Sequence, residues 1–348
     1  MTYEEAKVYI EKVSQTGSIL GLENIQNLMK ELGDVQEKLK IIHIAGTNGK
    51  GSTGAFIESV LIEAGYRVGR YTSPAVFEAF EVWRINRENI AQEVYLKCLE
   101  EVKYACERML EKGLSQPTVF EVETALAFVY FYREKCDYVL LEVGMGGETD
   151  ATNLITKPVC SVITSISMDH MQFLGDTLTE IATVKAGIIK PACEVFSAEQ
   201  DPEVKAVLDE KMVYGTVNYV DNSALELISI KPGELKFRYK GYEYETSLAG
   251  LYQMKNAALA IEIALHMKYS HEMVAAGIKA AKWRARFEVL SEEPYFIIDG
   301  AHNVDAIEQL AETIKFSFTN QPIDFIIGVL KDKEYEKMMK IITPLANR

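Results

Sequence analysis

The stretch HIAGTNGKGSTGAF, residues 43–56, constrains this chain more than any other. An apolar run, LKIIHIA at 39–45, leads into it, and a helix-patterned segment at 52–65 leads out. A strand, a glycine-rich turn and a helix beginning near Ser52 make a cradle for phosphate. Gly46, Gly49 and Gly51 let backbone N–H groups converge on an anion without Cβ interference. The helix N-terminus adds partial positive charge. Lys50 can reach terminal phosphates, and Ser52 or Thr53 can offer a hydroxyl to Mg²⁺. The match to G-x-x-x-x-G-K-[ST] is imperfect, because Gly51 separates Lys50 from Ser52. A tight strand-to-helix turn with an incidental lysine would carry the same residues. The loop alone leaves kinase, GTPase and ligase open.

Beyond the loop, strand-like and helix-like segments alternate. RVGRYTS (67–73), DYVLLEVG (137–144) and VCSVITSI (159–166) are apolar runs of the kind buried on both faces, and 92–112 and 119–135 are patterned as helices. That alternation predicts an α/β fold with a mostly parallel sheet flanked by helices. Between about 213 and 247 the texture becomes short strands and tight turns, an antiparallel insertion or sheet edge. A second alternation starts near 288: PYFIIDGA as strand, NVDAIEQLAETIKFSF as helix, IDFIIGVL as strand, then a helix from about 333. The expected division is 1–285 for the nucleotide domain and 286–348 for a second, Rossmann-like α/β domain. That second part is short for such a domain and reads as incomplete.

The net charge is −14, from 37 basic and 51 acidic residues, which argues against nucleic acid as a bulk partner. The N-terminus, MTYEEAKVYIEK, has no signal-peptide pattern, and no run of about 18 apolar residues suggests a membrane span. Five scattered cysteines without a CxxC pair read as reduced thiols in a cytoplasmic protein.

GTNGKGS (46–52) and a series of later stretches resemble, in order, the folylpolyglutamate synthase/dihydrofolate synthase family of the Mur ligase superfamily. GLENI (21–25) is similar to the family segment before the loop. YTSPAVF (71–77) resembles its Ser-Pro-His-Leu motif, with Ala75 at the histidine, and WRIN (83–86) its folate-binding loop. PTVFEVETALAF (117–128) is similar to a Thr-Phe-Phe-Glu stretch beside the pterin. LLEVGMGGETDATN (140–153) matches a Gly-rich segment in which Glu148 replaces arginine. TSISMDHMQFLG (164–175), TEIATVKAGIIK (179–190), LAGLYQMKNAALA (248–260), WRARFEVL (283–290), IIDGAHN (297–303) and GVLKDKEYEKM (328–338) complete the series. Tyr252 replaces a family histidine. Arg284 and Ala285 replace Pro-Gly, which suggests a less sharply bent linker.

The resemblance implies a Mur-ligase central domain, ATP and two Mg²⁺ ions as cofactors, with a monovalent cation also allowed. Catalytic roles fall on Lys50, Lys185 and His170. Nucleotide contacts fall on Gly46, Thr47, Asn48, Gly49, Lys50, Gly51, Ser52, Asn256, Arg286, Asp299 and His302. Metal ligands would be Ser52, Ser73, Glu142, His170 and Lys185, the last as a carbamate. Pterin or folate contacts would be Thr118, Phe120, Glu121, Thr149, Asp150 and Ala151. From the residues themselves, Glu142 at the carboxyl end of a strand is a natural hard-oxygen ligand, whereas His170 reads equally as a capping histidine. The implied activity is glutamate addition to folate or dihydropteroate by a monomer. Another Mur-type amino-acid ligase, or a nucleotide-binding homologue inactive through truncation, stands as the alternative.

Overall fold

The computed structural model describes residues 1–17, 21–319, 321–331 and 333–347. Eight strands form its main sheet: β1 (Ile41–Ala45), β2 (Val68–Tyr71), β3 (Trp83–Ile85), β4 (Glu88–Asn89), β5 (Tyr138–Glu142), β6 (Cys160–Ile163), β7 (Glu194–Ser197) and β8 (Val217–Tyr219). Their order across the sheet is β4-β3-β2-β5-β1-β6-β7-β8. The six from β2 to β8 in that order run parallel, and β3 with β4 is an antiparallel edge. The parallel sheet expected from the alternation of elements is therefore present.

β1 is buried at every residue. Successive side chains of a strand point to opposite faces. Ile41 therefore joins the core under the helices Tyr3–Ser14, Glu23–Glu31, Gln92–Glu111 and Val119–Arg133. Ile42 and Ile44 join the core beneath Lys50–Glu63, Tyr252–His266 and His271–Ala280. With helices on both faces, no alternation of apolar and polar residues is needed, which explains the uniform look of IIHIA and YVLLE. Each large apolar side chain removed from water here stabilises by about 1.5–3 kcal/mol.

The antiparallel texture near 213–247 is a three-stranded meander, Leu225–Lys231, Glu234–Tyr239 and Tyr242–Thr246. Leu235, Phe237 and Tyr239 alternate inward onto the second core. The stretch from 286 onward builds a smaller unit. A hairpin, Glu288–Glu292 with Tyr295–Ile298, precedes the helices Val304–Ser317 and Tyr335–Ile342. Phe287, Ile307, Ala311, Ile314, Met338 and Ile342 share its core.

Three expectations need correction. IDFIIGVL forms no strand among the described residues. No partner strand lies beside it among the described residues; Ile323, Phe325 and Val329 pack on the small core while Ile326 is 97% exposed. PYFIIDGA does form a strand, but it pairs antiparallel with the strand just before it. The linker is sharply turned despite losing Pro-Gly, because Ala285 itself takes the left-handed conformation (φ 54°) and Phe287 follows at φ 48°. Asp332, within GVLKDKEYEKM, and Arg348 lie outside the described residues. Among those residues no helix is long and apolar enough to cross a membrane.

Candidate active site

The helix after β1 starts at Lys50, two residues earlier than expected, because Gly49 supplies its N-cap at φ 89°. Gly46 sits at φ 149°. A Cβ on Gly46 would strike the Thr164 hydroxyl, and one on Gly49 the Asn256 amide oxygen. Both glycines are therefore required by conformation and by close approach. Not all loop N–H groups point outward, however. Those of Thr47 and Asn48 donate to the Ser165 carbonyl, at 2.7 and 3.4 Å. The Thr47 hydroxyl donates to the Ser167 carbonyl at 3.0 Å. These two residues shape the loop against the segment after β6.

A cavity of about 350 Å³ opens over this loop, at the carboxyl ends of β1, β5 and β6. In open α/β sheets that edge is where ligands collect. All the residues expected at the nucleotide and metal sites line it, including Ser73, Glu142, His170, Lys185, Asn256, Arg286, Asp299 and His302. Lys50 folds back, with Nζ 3.2 Å from the Gly46 carbonyl and 3.4 Å from that of Thr47. Lys185 is buried and donates to the same Gly46 carbonyl at 3.0 Å. Burial lowers its pKa to about 7, with the charge of Lys50 adding to the effect.

Glu142 is buried at the end of β5. Burial raises its pKa, against the pull of Lys50, Arg70, Arg286 and Arg84. His170 adopts φ 50° and is 43% exposed. Burial lowers its pKa, while Asp169 beside it acts in the opposite direction. Asp299 is fully engaged: Tyr252 Oη and the Phe287 N–H donate to one oxygen at 2.8 Å each, and the Ala301 N–H to the other at 2.8 Å. Arg286 Nη1 donates to the Ala285 carbonyl at 2.7 Å. His302 is 54% exposed, on the far wall of the cleft.

The residues expected around a pterin do not line this cavity. Thr118 and Glu121 form a reciprocal capping box on the Val119–Arg133 helix. Asp150 accepts from the Met145 and Thr152 N–H groups at 3.0 Å each, and from the Thr152 hydroxyl at 2.6 Å. Ala151 is buried and Thr149 is exposed. Phe120 packs 6.3 Å from Tyr71 and lies against Gly144, at the cavity's margin. Glu148 is exposed and outside the cavity.

Asp305, Asn303, Asp169 and Lys333, none of them expected at the site, also join the cleft. Asn48 donates to Asp305 at 2.8 Å and to Asn303 at 3.2 Å, carrying the loop across the cleft. Asn303 donates to Asp169 at 3.2 Å, and Lys333 reaches Asp169 at 2.7 Å. Burial would raise the pKa of Asp169, but the Lys333 ammonium and its other partners outweigh that and hold it near 2. Behind the loop, Arg70 pairs with Glu58 at 2.9 Å, both almost wholly buried. Arg70 also donates to the Gly51 carbonyl and lies 3.9 Å from the centre of the Trp283 ring. A charged residue inside the apolar RVGRY, facing another inside the helix after the loop, was the available signal for that pair. Under β1, the Thr152 hydroxyl donates to Asp150 and so accepts from His43 Nε2–H at 2.9 Å, leaving His43 Nδ1 without a partner.

The chain matches the Mur ligase middle domain over residues 44–264 and the Mur ligase glutamate ligase domain over 285–348. It is 38% identical over 360 residues to a dihydrofolate synthase/folylpolyglutamate synthase of Bacillus subtilis, covering 99% of this chain and 84% of that protein. It is 35% identical to a folylpolyglutamate synthase of Lacticaseibacillus casei, with 99% and 83% covered. A solved FPGS–AMPPCP–folate complex superposes with a TM-score of 0.89 at 34% identity, over 100% of this chain and 88% of that one.

Proposed function

The chain belongs to the folylpolyglutamate synthase/dihydrofolate synthase family of the Mur ligase superfamily, and from that premise we infer an ATP-dependent amide ligase that adds L-glutamate to a folate or dihydropteroate acceptor. The observation that carries this reading is the joint lining of one cleft by the phosphate loop, Glu142, Lys185 and Arg286. The acceptor carboxylate attacks the γ-phosphate of ATP, giving an acyl phosphate and ADP. The amine of glutamate then attacks the acyl carbon, and phosphate leaves. Lys50 and Arg286 balance charge on the transferring group, the latter with a planar fork suited to two phosphate oxygens. A cleft walled from two sides keeps water from the acyl phosphate.

Mg²⁺ fits the donors at the end of β5. Glu142 is a buried carboxylate, and Ser52 and Ser73 add hydroxyls along the same wall. Among the described residues no three His, Cys, Asp or Glu side chains converge as a metal cluster. That agrees with Mg²⁺ held by one carboxylate and substrate phosphates rather than by a protein cage. When bound, the metal would neutralise clustered phosphate oxygens. His170 and Lys185 would serve a second ion only if Lys185 were carbamylated, since an ammonium cannot ligate. A buried amine with a pKa near 7 is a competent nucleophile toward CO₂, losing one proton as the C–N bond forms. Bicarbonate should therefore activate more strongly as pH rises through about 7. The residues 1–285 would carry ATP and the acceptor, and 286–348 would close over them.

The test is ADP release with ATP, L-glutamate and each acceptor in turn. Release that requires glutamate together with a folate or dihydropteroate supports the reading. No turnover with any pterin acceptor, beside turnover with another carboxylate, sinks it.

A further inference from the structure

The helix that begins at Tyr252 spends its first turn on two different parts of the molecule. On one side, Gln253, fully buried, donates to the Ser52 hydroxyl at 3.2 Å, and Asn256 donates to Gln253 at 3.0 Å while its oxygen abuts Gly49. That side supports the phosphate loop. On the other side, the Leu251 N–H donates to the buried Thr313 hydroxyl at 3.1 Å, and Tyr252 Oη donates to Asp299 at 2.8 Å. Thr313 belongs to the Val304–Ser317 helix, and Asp299 follows the strand that feeds it. Consecutive residues of one helical turn thus grip the loop and the smaller unit.

We propose that Tyr252 is a positioning residue that links the seating of the smaller unit to the shape of the phosphate loop. The turn is short and hydrogen-bonded at both ends, so displacement of Asp299 or Thr313 is felt at Gln253 and Asn256 within one helical repeat. Burial pushes the Tyr252 hydroxyl well above its ordinary pKa, so it stays a donor. Asp299 is the acceptor that ties it to the linker through the Phe287 N–H. Coupling of this kind is reciprocal: whatever the smaller unit does for nucleotide affinity, nucleotide does for the smaller unit. The proposal rests on the reading of the cleft as a nucleotide site.

Two variants of the full chain test it. Tyr252→Phe removes one hydroxyl from the link. Thr313→Val alters the same link from a residue that lines no part of the cavity. AMPPCP affinity is measured by titration calorimetry, thermal midpoint by calorimetry, and amide exchange over 304–317 with and without AMPPCP. Each variant should weaken AMPPCP by about five-fold or more, the lower end of ordinary coupling. Added AMPPCP should protect 304–317 in the parent chain and fail to do so in the variants. The double variant should cost less than the sum of the two. Lowered thermal midpoints with unchanged affinity and unchanged protection would overturn the proposal, because that is what a merely structural contact gives. If Thr313→Val does not fold, the affinity and protection data for Tyr252→Phe decide alone. A parent chain that binds no AMPPCP would defeat the nucleotide reading instead, and with it the link.

Discussion

On the sheet side of the cleft, Ser52, Thr53, Thr164 and Lys185 are buried, and Arg70 with Glu58 braces the loop from beneath. On the opposite side, His302 is more than half exposed, Arg286 is partly buried, and the supporting core is one small cluster joined by Ala249 from the larger unit. One wall is held by two layers of helices. The other is held by a hairpin, two helices and a handful of polar contacts across the gap. The first wall is therefore much the more heavily braced of the two.

The contrast is open to direct attack. Arg70→Ala leaves Glu58 charged in the core and should lower stability by about 3–5 kcal/mol, seen as a drop in the urea midpoint. A loss below 1 kcal/mol would mean the loop is less well braced than its burial suggests. Lys50→Met should lower kcat by about 10²–10³-fold with little change in melting, since it removes charge stabilisation from a wall that is already formed. His43 gives a pH test of the same wall. Burial drops its pKa to about 3, with Lys190 adding to the effect. Below the ordinary imidazole pKa of about 6.5 the unfolded chain takes a proton that the folded chain refuses, so stability falls as pH drops from about 6.5 towards 3, by up to about 1.4 kcal/mol per unit. Denaturant midpoints for His43→Leu should flatten over that window. Across the cleft, Lys333→Ala should raise the KM for ATP several-fold and lower the thermal midpoint by a few degrees, because it breaks a largely shielded ion pair with Asp169. The smallest effect belongs to the linker. Ala285→Gly relieves a left-handed alanine and should stabilise by about 0.5–1 kcal/mol, offset in part by the lost contacts of a buried methyl.

Most of the stable wall was legible in the sequence. Strands buried on both faces announce themselves by composition, and a glycine-rich loop between strand and helix marks where a phosphate cradle is to be expected. The smaller side was harder to read. IDFIIGVL has every local mark of a strand and lacks only a neighbour, which no local pattern can supply. Thr118, Glu121 and Asp150 were expected to touch substrate. In the structure Thr118, one Glu121 oxygen and Asp150 bond backbone N–H groups nearby, a use that short polar residues find in any turn. Asp169, Asn303 and Lys333 lie far apart in the chain and acquire meaning only when the cleft brings them together. Ala285 shows the reverse error. The linker turns sharply with alanine in the left-handed region, where glycine would be the ordinary choice.

The order of strands also governs how the protein is made. β5 lies between β1 and β2, yet it is the fifth to leave the ribosome. β1 finds its partners only in β5 and β6, so the strand that carries the phosphate loop waits for about a hundred residues of further synthesis before it can be paired. During that interval IIHIA is an unpaired apolar edge, the kind that associates with other chains. The helices Tyr3–Ser14, Glu23–Glu31 and Gln92–Glu111 are all complete before β5 appears. They share a core with Ile41, so a nascent helical layer is available to shield one face of β1 while its neighbour is still being translated.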